Sequence, residues 1–328
     1  MPPRFPDHIF SRLHALASAE DPEGASLAMP PDVFDAWAAG GAAFGKFVLL
    51  EELGRGGQSV VRRAWQIDLR REVALKIVTG VNPELRRRFM EEARLGARLA
   101  HPAIVPVFEA GEERETLWLC MPRIEGETLD RSGLSPVEAA RAVAAAARGI
   151  HEAHRQGVIH RDLKPRNLMR SASGVHVLDF GLAKAFGGET QTSASGAALG
   201  TPHFMAPEQA SGGSLDPRTD VYALGATLYA LVGGRPPYPT SGMAEFVAAI
   251  LKDDPPPIRT IAPATAAPLA AVIGMAMDRD PSRRYPTAAA LADDLERFAA
   301  GDPVAARPPS AARRAARWAR LNPAATAA

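Results

Sequence analysis

The densest chemistry in the chain lies in eight consecutive residues, His160-Arg161-Asp162-Leu163-Lys164-Pro165-Arg166-Asn167. They bring together a carboxylate that can accept a proton, neighbouring cations and an amide oxygen that can ligate a metal. A charged turn can hold such residues by chance, but the full string is highly specific. Twelve residues after Asn167, Asp179-Phe180-Gly181 follows the strand-like run Val175-His176-Val177-Leu178. A carboxylate at a strand end before glycine is a natural magnesium ligand. Further upstream, Lys76 closes the apolar run Val73-Ala74-Leu75. Burying an unpaired ammonium is costly, so Lys76 either faces solvent or has an anionic partner. Leu53-Gly54-Arg55-Gly56-Gly57-Gln58-Ser59-Val60-Val61 is a glycine-rich stretch that can fold closely over phosphates and offer backbone N–H donors, though alone it is as readily a plain turn. A fifth motif runs from Gly200-Thr201-Pro202 to Met205-Ala206-Pro207-Glu208.

These motifs must be placed by the elements between them. Five short β-branched or aromatic runs, 47–53, 60–66, 72–78, 105–110 and 116–121, read as strands of an antiparallel sheet. The glycine stretch thus joins two strands, which argues against a Rossmann site, where the glycines open a helix. One helix is expected over 83–99, with Pro83 in its first turn and an apolar stripe of Leu85, Phe89, Leu95 and Leu99. After Gly126 the pattern turns helical. Ser135-Pro136-Val137-Glu138 reads as a capping box opening a helix that Gly157 stops. Further helices are expected over 218–232, 243–251, 269–277 and 288–298. The expected fold class is α+β, with a small antiparallel β-rich part carrying one helix and a larger, mainly α-helical part. Residues 1–44 read as an extension, partly disordered, with one or two short helices. The β-rich part is placed at 45–125, the helical part at 126–300 and a tail at 301–328.

In this order, the five motifs resemble those of the protein kinase family, and more closely the bacterial eukaryotic-like (Hanks-type) serine/threonine kinases. The resemblance covers about residues 47–298. It implies the two-lobed kinase fold, ATP with magnesium (manganese as a substitute), and transfer of the γ-phosphate to serine and threonine hydroxyls of proteins. Leu53, Gly54, Arg55, Gly56, Gly57, Gln58, Ser59 and Val61 would form the loop over the phosphates, with Ser59 in place of the third glycine. Lys76 would bind the α- and β-phosphates and pair with a glutamate on the early helix. Glu92 is favoured over Glu91, and only one can face it because helix neighbours point about 100° apart. Asp162 would take or orient the hydroxyl proton and Lys164 would neutralise the γ-phosphate. Thr201 would contact the catalytic loop, and Asn167 and Asp179 would hold the metal. Ala74 and Met169 would enclose adenine, with Met121 as gatekeeper and a hinge of Pro122-Arg123-Ile124. Pro122 replaces the usual acidic residue but keeps its carbonyl, and Ile124 would supply the N–H. The resemblance further implies a Glu208–Arg284 ion pair, bracing of the catalytic loop by Asp220, and an activation-loop phosphate opposite Arg161, with Thr190 and Thr192 preferred over Ser193 and Ser195. A transient dimer would serve autophosphorylation.

Composition sets the outer bounds. The chain has 328 residues, 46% hydrophobic and 23% charged, a net charge of +1 and one cysteine. That excludes a disulfide scaffold or zinc cluster and a low-complexity chain, and Cys120 reads as a buried strand residue. No run of 18 apolar residues exists, and the N-terminus lacks signal-peptide features, so a cytoplasmic kinase domain is expected. No nucleic-acid partner is expected. Of the 38 Lys and Arg, five arginines fall in residues 305–328, which hold no acid, leaving 33 basic against 37 acidic residues before them. This basic tail, with Trp318, reads either as a solvated end or as a juxtamembrane segment of a membrane-anchored protein, if the native chain continues. His101, His151 and His154 lack metal-ligand spacing and read as structural. Two other functions fit the residues less well. A non-catalytic nucleotide-binding scaffold of the same fold would usually lack Lys76, Asp162 or Asp179. A small-molecule phosphotransferase is disfavoured by the segment 200–208, a peptide platform in the resembled family.

Overall fold

The computed structural model describes residues 29–38, 43–56, 59–113, 115–179 and 203–307. They fall into two compact units, 1–126 with 176–200, and 127–175 with 201–328. Chain order is therefore not a simple before-and-after, because the segment from His176 returns to the first unit.

The first unit is built on a six-stranded antiparallel sheet. Its strands are β1 (Ala43–Phe44), β2 (Phe47–Arg55), β3 (Ser59–Gln66), β4 (Arg71–Val78), β5 (Glu109–Glu113) and β6 (Thr116–Met121), in the order β1-β2-β3-β4-β6-β5. Successive side chains alternate between the two faces, so register fixes which residues meet. Val61 lies opposite Lys76, Arg63 opposite Ala74, and Ala74 opposite Met121. One face buries Phe47, Ala64, Val73, Leu75, Ile77, Trp118 and Cys120 together. Helix α2 (Pro83–Gly96) covers part of the other face, placing Phe89 and Ala93 against Ala74, Leu119 and Met121. Asn82 caps this helix by accepting from Leu85 N at 2.7 Å. A second helix, α1 (Pro31–Ala38), lies within the expected N-terminal extension. Its Val33 is fully buried with Val48, Leu50, Trp65 and Ile67.

The strand expected over 105–110 is displaced, since pairing begins only at Glu109. Pro106 has no N–H to give a ladder, and Val105 N donates instead to Val177 O at 3.1 Å. Gly111 is the point of closest approach in the sheet: a Cβ there would lie 2.5 Å from the Trp118 ring.

The second unit is helical. Its long helix α3 (Pro136–Arg155) opens on the expected capping box, with Ser135 N donating to Glu138 and Glu138 N to the Ser135 hydroxyl. Its buried face is mostly alanine, which lets α5 (Pro217–Gly233) and α9 (Ala288–Ala300) pack against it. Between them in sequence lie α4 (Pro207–Ala210) before α5, then α6 (Met243–Lys252), α7 (Ile258–Ile261) and α8 (Ala267–Ala276). Beyond its polar first turn, helix α5 is largely apolar around its circumference and buried accordingly. Its Gly225 admits α8, because a Cβ there would lie 2.7 Å from Ala276 Cβ. Three short strands, β7 (Gly126–Thr128), β8 (Leu168–Ser171) and β9 (Gly174–Val177), form a small sheet in sequence order. Beyond α9 the start of the tail is held down: buried Asp294 accepts from Ala305 N at 2.7 Å and Ala306 N at 2.8 Å.

Candidate active site

In the first unit, Lys76 is buried at the middle of β4. The choice between solvent and an anionic partner is settled by tertiary structure, because its Nζ lies 2.8 Å from Asp179 Oδ1. Asp179 has φ 56°, a left-handed backbone that side chains other than glycine, Asn and Asp rarely adopt. Phe180 and Gly181 lie outside the described residues, as does the side chain of Glu92. Glu91, the other candidate on α2, is exposed and bonded to Arg87 at 2.8 Å, so it does not serve Lys76 here.

The glycine stretch joins β2 to β3, as the strand pattern requires. Gly54 faces Val61 and Arg55 faces Val60 across the ladder, and Gly56 N donates to Ser59 O at 2.8 Å. Leu53 is exposed at the mouth of this hairpin, and Gly57 and Gln58 lie outside the described residues. Ala74 and Met121 are paired and nearly buried. Pro122, Arg123 and Ile124 follow, half-buried, and Ile124 packs on the same cluster as Ala74 and Met121.

In the second unit the catalytic-loop candidates converge. Lys164 Nζ lies 2.7 Å from Asp162 Oδ2. Asn167 donates through Nδ2 to the Asp162 carbonyl at 2.7 Å and to Asp162 Oδ2 at 3.0 Å. That commits the amide nitrogen and leaves Oδ1 as the amide's remaining donor atom for a ligand. Among the described residues, Asp162 Oδ1 accepts no hydrogen bond. It is the carboxylate oxygen that retains its accepting capacity. Met169 is half-buried on β8, two residues beyond Asn167. Thr201 and the four candidate phosphorylation sites lie outside the described residues.

The loop owes its shape to Asp220, wholly buried on α5. Its carboxylate accepts from His160 N and Arg161 N, both at 2.8 Å, and from His154 Nε2 at 2.8 Å. Arg161 sits at φ 68°, and its carbonyl accepts from Gln209 Nε2 at 3.0 Å. Bonds on both sides of this peptide hold a conformation that is unfavourable by about 1–3 kcal/mol for a non-glycine residue. The bracing role of His154 and Gln209 was not read from the sequence. A signal for His154 exists, since it ends the helix that delivers the loop six residues later. Gln209 carries none. Glu208 and Arg284 form the expected pair, with contacts of 2.6 and 2.7 Å. Cys120 is buried in β6, and burial pushes its thiol up to about 11, so it is not a reactive thiolate.

A buried lysine on a sheet paired with an aspartate, and in the helical unit an Asp–Lys–Asn loop braced by a buried aspartate, are features of the protein kinase fold. Residues 47–295 match the protein kinase domain, and the chain belongs to the protein kinase family, in its bacterial eukaryotic-like serine/threonine branch. It is 35% identical over 271 residues to the serine/threonine-protein kinase PknB of Mycobacterium leprae, covering 79% of this chain and 44% of that protein. It is 38% identical over 260 residues to the DNA damage-responsive serine/threonine-protein kinase RqkA of Deinococcus radiodurans, covering 76% and 39%. The chain thus spans less than half the length of these curated relatives. The crystal structure of the Mycobacterium tuberculosis PknI kinase domain superposes with a TM-score of 0.64 at 27% identity, covering 79% of this chain and 97% of that one. No helix among the described residues is long and apolar enough to cross a membrane.

Proposed function

We propose that the chain transfers the γ-phosphate of ATP to serine and threonine hydroxyls of proteins, itself included. The observation that carries this reading is the Asp162–Lys164–Asn167 constellation, held by Asp220. Phosphoryl transfer asks a protein for position and charge more than for covalent chemistry. In this reading Asp162 Oδ1 accepts the hydroxyl hydrogen bond and orients the nucleophile. Lys164, fixed on Asp162 Oδ2, brings its charge to the transferring phosphoryl group. Lys76 holds the α- and β-phosphates, and the backbone of residues 53–61 covers them. Ala74, Met121 and Met169 bound the adenine. The Pro122 carbonyl accepts from its amino group, and Ile124 N–H donates to its ring.

Asp179 and Asn167 offer a carboxylate and an amide oxygen, hard donors that fit magnesium or manganese bound partly through substrate phosphates. When bound, the ion supplies charge neutralisation on the phosphate oxygens. Arg161 is exposed, with no ion pair among the described residues, and it fits a phosphate on Thr190 or Thr192. Autophosphorylation there would pass through a transient dimer. If the native chain runs on past Ala328, the basic tail is read as a juxtamembrane segment.

The test is ³²P transfer from ATP to the chain and to a generic protein substrate, for the parent, Asp162→Ala and Lys76→Ala. Transfer by the parent alone supports the reading. Equal signal in all three would refute the mechanism, and no transfer by any of them would leave a nucleotide-binding scaffold.

A further inference from the structure

Residues 31–38 precede the matched kinase domain, which begins at residue 47, and the family likeness gives them no role. Yet α1 sits on the working face of the sheet. Opposed residues in an antiparallel pair share a face, as do alternate residues in a strand. Val61, Arg63 and Trp65 on β3 therefore share a face with Lys76, Ala74 and Glu72 on β4, and with Met121 on β6. Helix α1 is seated at the Trp65 end of that face by Val33, fully buried among Val48, Leu50, Trp65 and Ile67.

Beside Val33, a chain of charge runs from α1 to the hinge. Arg63 is 13% exposed and its guanidinium is spent on three carboxylates. It donates to Asp32 of α1, to Glu51 of β2 at 2.7 and 2.8 Å, and to Glu72 Oε1. The other oxygen of Glu72 accepts from Arg123 NH1 at 2.6 Å, and Arg123 also pairs with Glu125 at 3.3 Å. Glu72 is thus held at both oxygens, one by Arg63 and one by Arg123. Arg123 lies between Pro122 and Ile124, whose carbonyl and N–H are the groups assigned to adenine.

We propose that α1 and Arg63 position the nucleotide hinge, through Glu72 and Arg123, and so contribute to adenine selection. The inference rests on the adenine assignment made above. Arg63 and Asp32 touch no nucleotide in this account and are positioning residues. Without Arg63, Glu72 is released at one oxygen and can swing with Arg123, so the hinge loses its fixed donor–acceptor pair. A planar fork is required to span three carboxylates, and the point charge of lysine cannot do so.

The experiment compares the parent chain of 328 residues, Arg63→Met, Arg63→Lys and Asp32→Asn, reading kcat and KM with ATP and with inosine triphosphate. Inosine has an oxo group where adenine has its amino donor, so it cannot use the Pro122 carbonyl. The proposal expects the KM for ATP to rise about five- to tenfold in Arg63→Met, the effect of weakening one hydrogen bond. It expects Arg63→Lys to behave alike, Asp32→Asn to show a smaller rise, kcat to stay within about twofold, and the KM for inosine triphosphate to change little. An ATP preference left intact in the variants, or a parallel rise for both nucleotides, would overturn the proposal while leaving the adenine assignment standing. A parent that does not prefer ATP would overturn the assignment itself. Should Arg63→Met fail to fold, Asp32→Asn carries the same test, because that side chain is half exposed.

Discussion

Replacing Arg284 by methionine removes a guanidinium whose side chain is wholly buried. It donates to both Glu208 oxygens at 2.6 and 2.7 Å, and to the carbonyls of Asp278 at 2.7 Å, Arg218 at 2.9 Å and Arg279 at 3.3 Å. It also lies 4.9 Å from the centroid of the buried Tyr222 ring. Methionine fills much of the volume but satisfies none of these acceptors. It leaves Glu208 with a hydrogen bond from the Thr219 hydroxyl at 2.9 Å and no counter-ion. Stranding one partner of a buried ion pair destabilises by about 3–5 kcal/mol. For a domain of this size each kcal/mol lowers Tm by about 2–4 °C, so the expected fall is about 6–20 °C. Thermal melting of parent, Arg284→Met, Glu208→Gln and the double variant measures it as a cycle. The double variant should be more stable than the sum of the singles implies, because the stranded charge is gone. A Tm for Arg284→Met within about 2 °C of the parent, or strict additivity in the cycle, would refute the reasoning.

The same pair predicts a pH dependence. Burial would raise the Glu208 carboxyl, but the Arg284 hydrogen bonds and charge outweigh it and hold it below the ordinary 4.5. A lowered folded-state value means the stabilisation is present above pH 4.5 and is lost as pH falls through the lower value. Melting of the parent should therefore steepen in its decline below that pH, and Glu208→Gln should lack that component. At the catalytic loop, Asp162→Asn should lower kcat about 10²–10⁴-fold with little change in the KM for ATP, measured by steady-state phosphate transfer. In the activation segment, mass spectrometry after incubation with ATP should find phosphate on Thr190 or Thr192. An active enzyme without modification across 182–200 would exclude that regulation.

Much of this molecule is written locally. Ser135 with Glu138, and Pro83, set helix starts through short-range backbone chemistry, and each acts where its position in the sequence says it should. Strands β2, β3, β4 and β6 follow from period-two runs of β-branched and aromatic residues. The identity of the site was legible too, because phosphoryl transfer needs a base, cations and oxygen ligands packed into short strings, and a string such as 160–167 has few other uses. What the sequence could not decide was partnership across distance. Whether Lys76 met solvent or an anion depended on residue 179, a hundred positions away, being brought to the same face of the sheet. Pro106 and the pull of Val177 moved a strand that local propensity placed earlier. That α1 belongs on the sheet emerges only when Val33 meets Trp65 and Asp32 meets Arg63, contacts that composition at 1–44 does not foretell. Local propensity and motif spacing determined the elements and the chemistry. Burial and charge pairing between residues far apart in the chain decided which groups are held, by what, and in which orientation.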